Sequence, residues 1–321
     1  MGILATPARR RTAAAFTFTA FTLATAVSGA SAASASAAAR HPSTPNPDSA
    51  VIQTVSSAAQ RATQSYWTRA AMKSATPLAV AEPQKGSSQS GSPGPPPKTP
   101  HPTPFNGVPT VGALFMTNGL KRHFCTASVV NSLTADLVLT AAHCVYGSSP
   151  ATHIEFVPGY HDGLQPYGAW PVQTVTVASG WQKSHNPDLD FAFLRVSPPS
   201  GTYLPIQLVT GGLWLGIKQG YVHPIYVIGY NDTGDQPLGC ATHSFRFEAL
   251  QMQFYCAAYW NGTSGGPWIT GYNASNGTGT VIGVIGGYEE GGLVPWSSYS
   301  TYFGQATLKL FLQAQAQQSG G

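Results

Sequence analysis

Long apolar runs and metal-binding spacings are both missing from most of this sequence. After residue 32, no apolar run approaches the roughly 18 residues that a membrane-spanning helix needs. We therefore expect a soluble mature protein with no membrane partner. The four cysteines and nine histidines never form a C-x-x-C or an H-E-x-x-H pattern, the spacings of many metal sites. We expect neither a metal nor an organic cofactor.

The first 32 residues have the layout of a secretory signal peptide. Arg9-Arg10-Arg11 supplies a basic start, and a Thr-rich apolar run follows over Thr12–Val27. The run leads to Ala30-Ser31-Ala32, which has the A-x-A form of a cleavage site. Leaders of this kind are removed on export. This layout predicts cleavage after Ala32 and a secreted, extracellular protein.

The formal net charge of +4 is unevenly distributed along the chain. Residues 1–104 hold nine Lys and Arg against two Asp and Glu, whereas residues 105–321 hold seven against ten. A basic protein would suggest binding to nucleic acid. Here the positive excess lies in the part that we expect to be removed, so we expect no nucleic-acid partner.

Short β-like runs separated by turn residues recur through the last 217 residues. Their spacing is typical of a barrel or a sandwich and predicts an all-β fold for residues 105–321. Near the end, Leu308, Phe311 and Leu312 follow at helical spacing, which predicts a short C-terminal helix over Thr307–Gln318. The predicted strands include Gly112–Met116, Phe124–Val130, Leu137–Ala141, Phe191–Val196, Tyr226–Tyr230 and Val281–Ile285.

A serine flanked by glycines lies in the segment Trp260–Pro267, which reads WNGTSGGP. Such glycines allow a tight turn in which no Cβ blocks the approach of a substrate and consecutive N–H groups face one point. A serine hydroxyl acts as a nucleophile only beside a base that is itself oriented by a third group. Ser264 is therefore a candidate nucleophile that needs two partners.

Both partners occur earlier in the chain. The apolar run Leu137–Cys144 carries His143 near its end, and Asp190 opens another apolar run. The order is thus histidine, aspartate, serine. The G-x-S-x-G pattern around Ser264 also occurs in α/β-hydrolases, but that fold places its histidine after the serine. The last histidine here is His243, which excludes that interpretation.

Three motifs in this order resemble those of the chymotrypsin-like serine proteases. Thr140–Cys144 reads TAAHC, Gly262–Pro267 is similar to GDSGGP, and Asp190 opens a D-x-A-x-L strand. The residue before the serine, Thr263, is small and polar. In this respect the sequence resembles bacterial extracellular proteases, including the glutamyl-endopeptidase group. The resemblance implies two six-stranded antiparallel β-barrels with a short C-terminal helix. It also implies a monomeric serine endopeptidase that acts on protein or peptide substrates.

The resemblance also implies a role for each motif residue. Ser264 would attack the scissile carbonyl, His143 would transfer its proton, and Asp190 would orient the imidazole. The backbone N–H groups of Gly262 and Ser264 would form the oxyanion hole. Asp188 competes with Asp190 for the orienting role, but Asp190 directly abuts the apolar run. We therefore expect Asp188 to be a loop carboxylate.

Four cysteines in an exported chain indicate two disulfides. In the family that the motifs resemble, the cysteine after the histidine bridges to a cysteine at the upstream position. The resemblance therefore implies a Cys125–Cys144 bond, and with it a Cys240–Cys256 bond.

The segment Val281–Tyr288 resembles the strand that lines the primary specificity pocket in this family. Gly286, Gly287 and Tyr288 should then face the substrate backbone. Glutamate-specific relatives have a histidine on this strand, whereas Ile285 stands at the nearest position here, which speaks against glutamate specificity. The following residues, Glu289 and Glu290, would either favour basic side chains or belong to a solvated loop, and we prefer the solvated loop.

Residues 33–104 are interpreted as a pro-segment followed by a Pro-rich linker, which places the protease domain at 105–321. Ala58–Met72 could form a helix, and the alternative is a disordered spacer. Glu82–Pro104 is rich in Ser, Gly and Pro and is typical of an extended linker. Because Thr263 replaces the aspartate that receives the new amino terminus in trypsin, activation of this zymogen should depend on removal of the pro-segment.

Two other functions remain open on this sequence. One is a catalytically silent binding module on the same fold, although an intact set of His143, Asp190 and Ser264 speaks against it. The other is a secreted esterase, since the same three residues can transfer acyl groups from esters. Relative activity on peptide and ester substrates would separate the esterase from the endopeptidase.

Overall fold

Two antiparallel β-sheets in succession form the body of the protein after residue 105. The computed structural model describes Gly2 and residues 49–78, 94–231 and 235–316. The predicted signal peptide, apart from Gly2, and much of the predicted linker lie outside the described residues. From Ser49 onward the described residues belong to one compact unit, Thr44–Gly321.

Strands predominate, and short helices separate some of them. The strands are β1 (Ala50–Thr54), β2 (Thr76–Pro77), β3 (Thr103–Pro104), β4 (Val111–Asn118), β5 (Lys121–Val129), β6 (Leu137–Thr140), β7 (Thr152–Pro158), β8 (Trp170–Ala178), β9 (Ala192–Val196), β10 (Trp214–Leu215), β11 (His223–Tyr230), β12 (Pro237–Arg246), β13 (Gln251–Tyr255), β14 (Pro267–Asn273), β15 (Thr278–Val284) and β16 (Ser297–Thr301). The helices are α1 (Ser57–Tyr66), α2 (Arg69–Lys73), α3 (Ala142–Val145), α4 (Ser179–Ser184), α5 (Ile206–Thr210) and α6 (Gln305–Gln315). Two 3-10 turns cover Pro187–Leu189 and Tyr288–Gly291.

The first sheet closes into a six-stranded barrel. Its strands run in the order β8-β7-β4-β5-β6-β9, and pairing between β8 and β9 completes the ring. Along β8, Val175 and Val177 point into the core while Thr174 and Thr176 alternate with them, as the two-residue repeat of a strand requires. Two strands from the N-terminal region add to this sheet, β1 beside β8 and β2 beside β5.

The second sheet contains another six long strands, in the order β15-β14-β11-β12-β13-β16. Its ends meet through single hydrogen bonds: the N–H of Val284 donates to Ser300 Oγ (2.9 Å), and the N–H of Gly286 donates to the carbonyl of Tyr299 (3.0 Å). Trp268 and Phe254 fill its core. The predicted all-β, chymotrypsin-like fold is confirmed, with one closed six-stranded barrel and a second sheet of six long strands.

Both implied disulfides are present. Cys125–Cys144 joins β5 to α3, and Cys240–Cys256 joins β12 to the segment that follows β13. The first bond ties the strand that faces the second sheet to the helix that carries His143.

The N-terminal segment, which we define as residues 49–78, packs against the outside of the first barrel. The helix predicted over Ala58–Met72 is confirmed, but it is broken at Trp67 and Thr68 into α1 and α2. The Thr68 side chain accepts a bond from the N–H of Ala71 (3.1 Å) and thereby caps α2. Trp67 itself is 4% exposed and packs on the Phe115 ring, with the centroids 5.3 Å apart. The disordered-spacer alternative is therefore wrong for these residues.

The C-terminal helix is confirmed as α6, but its buried face differs from the expected one. Leu310 and Ala314 are buried, and Phe311 packs on Phe193 with ring centroids 5.4 Å apart. Leu312, one of the three residues used for the prediction, is 53% exposed. None of the helices among the described residues is long and apolar enough to cross a membrane.

A buried carboxylate lies between the first barrel and the N-terminal segment. Glu155 on β7 is 1% exposed, and neither of its carboxylate oxygens has a hydrogen-bond partner among the described residues. Its neighbour Phe156 points into the barrel core, so Glu155 faces outward, opposite Phe115 and toward the layer that contains Trp67. Burial raises the pKa of Glu155 to about 8.

We expect Glu155→Gln to stabilise the protein in a pH-dependent manner. Between pH 4.5, the pKa of an ordinary glutamate, and pH 8, the folded state binds more protons than the unfolded state. The free energy of unfolding therefore falls as pH rises through this window, by up to about 1.4 kcal/mol per pH unit. Glutamine does not ionise, so the variant should not lose stability in this way. Thermal denaturation should therefore show a gain in Tm over the wild type that grows from pH 5 to pH 8.

Glu248→Gln, at an exposed position, serves as the control and should show no such trend. A Glu155→Gln protein whose Tm follows the wild type at every pH would contradict the protonated, buried state of this carboxylate.

Candidate active site

His143 is held at the start of a short helix by a carboxylate. The strand β6 ends at Thr140, and α3 then turns the chain so that His143 is 6% exposed. Its backbone N–H donates to Asp190 Oδ1 (2.9 Å), and its Nδ1 lies 2.8 Å from Asp190 Oδ2. These two contacts fix the ring and place the proton of the neutral imidazole on Nδ1. The other nitrogen, Nε2, is buried and has no partner among the described residues.

Asp190 is fully buried and accepts a third hydrogen bond. It follows the 3-10 turn Pro187–Leu189, and its Oδ2 also accepts from the backbone N–H of Gly287 (2.8 Å). The structure thus brings together His143 and Asp190, as the motifs predicted. Asp188 lies apart from this pair and accepts a bond from Gln251 Nε2 (2.7 Å).

Ser264 sits in a tight turn that is pinned to both sheets. The N–H of Thr263 donates to the carbonyl of Trp260 (3.1 Å), and the N–H of Gly265 donates to Ile285 of the second sheet (2.7 Å). The Ser264 carbonyl accepts from the N–H of Thr126 on β5 of the first barrel (2.8 Å). Ser264 is 2% exposed.

Thr126 connects the serine turn to the strand that leads to His143. Its hydroxyl donates to the carbonyl of Gly262 (3.0 Å), and its own carbonyl accepts from the Thr140 hydroxyl (2.9 Å). Thr140 lies three residues before His143. Thr126 therefore links the turn that carries Ser264 to the segment that carries His143. No sequence motif predicts this role for Thr126. The adjacent Cys125, expected to form a disulfide with Cys144, was the nearest residue with a predicted function.

Gly265 has to be glycine for two reasons. Its φ of +78° is a left-handed conformation that side chains rarely adopt. A Cβ would also lie 2.2 Å from both the Thr126 carbonyl oxygen and Thr140 Oγ1. This close approach brings the serine turn directly against β6.

Two backbone donors are available beside the serine. Within the part of the chain that the structure describes, the N–H groups of Gly262 and Ser264 donate to no protein acceptor. Gly262 has a φ of +91°, and a Cβ there would lie 2.5 Å from the Phe124 ring. Adjacent unpaired N–H groups in a turn can bind a negatively charged oxygen.

Electrostatics hold the pKa of His143 above its ordinary value. Burial opposes the charged imidazolium, but the charge of Asp190, its hydrogen bond and the charge of Glu290 together outweigh that effect and raise the pKa. His143 is thus a stronger base than a solvated histidine. Such a base can receive a proton from a hydroxyl near neutral pH.

The three predicted substrate-binding residues, Gly286 to Tyr288, lie next to Asp190. The backbone N–H group of each of them donates to an acceptor within the protein. Gly286 donates to Tyr299 (3.0 Å), Gly287 donates to Asp190, and Tyr288 donates to Gln251 Oε1 (3.0 Å). Gln251 is 1% exposed and bridges Tyr288 to Asp188. The sequence reasoning did not identify Gln251, which lies outside every motif.

A small cleft of about 20 Å³ opens beside Ser264. It lies between the serine turn, including Trp260, and the residues that follow β15, including Ile285 and Glu290. Glu290 is partly buried there, whereas Glu289 is exposed. The exposure of Glu289 agrees with the solvated-loop interpretation, whereas Glu290 also lines the cleft.

Among the residues that the structure describes, a cluster of residue types that can bind metals lies near the site. The ligand atoms of Cys125, His143 and Cys144 lie within 4.8 Å of one another. Both cysteines are joined in a disulfide, so neither offers the thiolate that binds a metal. This cluster is therefore unsuited to hold an ion.

Solved structures of proteases are similar to this chain in fold. The protease Anisep from Arthrobacter nicotinovorans has a TM-score of 0.60 at 23% identity, and the match covers 67% of this chain and all of that one. A thermostable serine protease, AL20, from an extremophilic microorganism has a TM-score of 0.58 at 21% identity over 65% of this chain and 99% of that one. A Glu endopeptidase has a TM-score of 0.54 at 17% identity over 68% and 98%.

Sequence comparison identifies the family. No curated protein matches the chain. The family model described as Trypsin, however, matches residues 99–295, which is more than half of the sequence and contains His143, Asp190 and Ser264. The chain belongs to the trypsin family, the chymotrypsin-like serine proteases.

Proposed function

We propose that this protein is a secreted serine endopeptidase that cleaves peptide bonds through Ser264, His143 and Asp190. The observation that carries the proposal is the double contact of Asp190 with His143, beside a glycine-framed serine turn. Secretion is supported by the two disulfides, which form in oxidising compartments. The N-terminal layout supports it as well.

The proposed reaction begins with proton transfer from Ser264 to His143. As Ser264 Oγ attacks the scissile carbonyl, Nε2 of His143 takes the hydroxyl proton. Nε2 has no partner among the described residues of the free protein, so the Ser264–His143 contact has to tighten when a substrate binds. His143 then gives the proton to the leaving amine, which leaves an acyl-enzyme on Ser264. Water releases the acyl group in the reverse sequence.

Charge on the attacked carbonyl would be stabilised by the serine turn. The N–H groups of Gly262 and Ser264 point to an oxyanion hole because they donate to no protein acceptor among the described residues. Removal of one such donor typically lowers kcat by about 10²–10³. Gly286, Gly287 and Tyr288 would line the path of the substrate chain, with Asp190 holding Gly287 in place.

Activation cannot use the ion pair of trypsin. Thr263 occupies the position before the serine, is 3% exposed, and donates through its hydroxyl to the Trp260 carbonyl (2.7 Å). It offers no carboxylate to a new amino terminus. We propose that processing within residues 33–104 activates the protein. Loss of the N-terminal segment would have to break the hydrogen bonds between β1 and β8. It would also expose the barrel surface that Trp67 covers.

Covalent labelling tests the nucleophile. The wild-type protein should react with a fluorophosphonate probe and cleave members of a peptide library, because the probe is attacked only by an activated serine. Ser264→Ala should do neither, while its circular dichroism and Tm match those of the wild type. Labelling with ester hydrolysis but no peptide cleavage would favour the esterase. Absence of both reactions in the fully processed wild type would favour the binding module.

The pH dependence of the reaction tests the pair of His143 and Asp190. His143 must be neutral to accept the proton, and its raised pKa means that protonation persists above pH 6.5. The acidic limb of kcat/KM should therefore have its midpoint above 6.5. Asp190→Asn removes the main charge that raises this pKa, so its residual activity, lower by about 10⁴, should have its midpoint at lower pH. If the acidic limb of kcat/KM had the same midpoint in Asp190→Asn as in the wild type, the assignment of Asp190 as the partner of His143 would be contradicted.

A further inference from the structure

An aromatic layer lies between the N-terminal segment and the serine turn. We define it as Trp67, Phe115, Phe124, Tyr160 and Tyr230, which pack in one cluster. The ring centroids are 5.3 Å apart between Trp67 and Phe115, 6.5 Å between Phe115 and Phe124, 5.2 Å between Phe115 and Tyr160, and 6.2 Å between Tyr160 and Tyr230. A continuous path of ring contacts therefore starts at the N-terminal segment and ends beside the serine turn.

The inner end of the layer forms two walls against Gly262. A Cβ on this glycine would lie 2.5 Å from Phe124 Cε2 and 2.7 Å from the Tyr230 carbonyl oxygen. The N–H of Tyr230 donates to the Thr126 hydroxyl (2.8 Å), and that hydroxyl donates to the Gly262 carbonyl (3.0 Å). The position of Gly262, whose N–H is a proposed oxyanion donor, therefore depends on Phe124 and Tyr230.

Strand β2 of the N-terminal segment holds the backbone at Phe124. It pairs with β5, and the N–H of Leu78 donates to the Phe124 carbonyl (3.0 Å). Arg122, two residues earlier on β5, donates to the Tyr66 hydroxyl (3.1 Å) and to Ser74 Oγ (3.2 Å). The segment therefore holds the strand that carries Phe124 through its backbone and through a neighbouring side chain.

Trp67 covers the outer side of the layer. Its side chain is 4% exposed, packs on Phe115 and donates through Nε1 to the His153 carbonyl. Buried aromatic side chains of this size contribute strongly to the packing of a core. The pairing of all five residues of β1 with β8 adds to the attachment of the segment. These contacts favour a segment that remains on the barrel.

The N-terminal segment leaves the cleft beside Ser264 open. All residues of the segment, 49–78, are described, and none of them lines that cleft. A pro-segment that inhibits by blocking the site would have to lie there. The segment instead covers the outer side of the aromatic layer, so its removal would uncover no part of the cleft.

We propose that the N-terminal segment stays in the working protease and positions the oxyanion-hole residue Gly262 through Phe124. The inference rests on the proposed endopeptidase function. Processing within residues 33–104 then cuts outside residues 49–78 and leaves the segment on the barrel. Trp67 and Phe124 are positioning residues in this proposal, because they act through Gly262 and not on the substrate.

Truncation of the two positioning residues tests this role. Phe124→Ala should lower kcat by about tenfold or more, because a displaced oxyanion donor loses part of the factor of about 10²–10³ that its removal costs. Trp67→Ala should also lower kcat, and the double variant should fall little below the slower single variant, since both changes act through Gly262. KM and the midpoint of the acidic limb of kcat/KM should keep their wild-type values, because the contact of His143 with Asp190 is unchanged.

Two kinds of control separate positioning from a general loss of stability. Phe124→Leu and Trp67→Phe keep an apolar side chain in the layer and should recover most of the lost kcat. Tyr272→Ala removes a ring that stacks on Tyr226 at 4.3 Å on the second sheet, outside the layer, and should keep the wild-type kcat. An unchanged kcat in Phe124→Ala, independent losses in the double variant, or a shifted midpoint of the acidic limb would overturn the positioning role.

The composition of the active protein gives a test that needs no substitution. The naturally processed wild type is purified under native conditions, and its chains are identified by mass spectrometry after denaturation. Residues 49–78 should be found in the active fraction, either joined to the protease domain or as a separate chain that co-purifies with it. An active fraction that cleaves peptides without these residues would refute the proposal.

Fluorophosphonate labelling of the same fractions distinguishes this inference from the proposed function. If no form of the wild type reacts with the probe, the proposed endopeptidase function itself is rejected. If only the form that has lost residues 49–78 reacts, the endopeptidase function stands and the segment is an inhibitor, which overturns only its positioning role.

Discussion

The site depends above all on one fully buried carboxylate that accepts three hydrogen bonds. Asp190 receives the backbone N–H of His143, contacts its ring nitrogen, and receives the N–H of Gly287. The first two contacts come from the first barrel and the third from the end of the second sheet. A buried carboxylate without such partners would cost several kcal/mol, so the two sheets have to meet at Asp190. The position of His143 relative to Gly287 follows from this constraint.

A second connection between the sheets positions the serine. Thr126 on the first barrel bonds to the turn through both its backbone N–H and its hydroxyl, while Gly265 bonds to Ile285 on the second sheet. Two anchors on opposite sides leave the turn little freedom. Preorganisation of this kind is what a nucleophile and its oxyanion donors need, since displacements of about 1 Å can cost orders of magnitude in rate. The left-handed conformations at Gly262 and Gly265 are tolerated because glycine has no Cβ.

Much of this arrangement could be predicted from contiguous motifs. His143, Asp190 and Ser264 each lie in a short signature whose residues act together, and the chain order excluded the α/β-hydrolase alternative. The β-rich architecture followed from turn spacing. Thr126 and Gln251 could not be predicted, because their roles come from partners 136 and 63 residues away in the chain. The sequence also could not predict that Leu310, and not Leu312, is buried in the last helix. Which face of the helix is buried depends on where the barrel surface lies.

Glu290 marks the limit of what the sequence pattern could predict. Two glutamates between glycines are typical of a solvated loop, and one of the two indeed fulfils that expectation. What separates them is the left-handed turn, which sends Glu290 into the cleft and Glu289 into solvent. That geometry depends on Gly287, Gly291 and Gly292 and on contacts of the second sheet, such as the Ser297 carbonyl near Gly292.

The proposed substrate-binding residues, Gly286, Gly287 and Tyr288, use all of their backbone N–H groups inside the protein. The acceptors are the Tyr299 carbonyl, Asp190 Oδ2 and Gln251 Oε1. If a substrate chain lies beside these residues, as proposed, it would find backbone carbonyl acceptors there and would pair with them through its own N–H groups. Main-chain pairing can then orient a substrate without distinguishing one sequence from another. In the proposed endopeptidase, discrimination between substrates would then have to come from side-chain contacts.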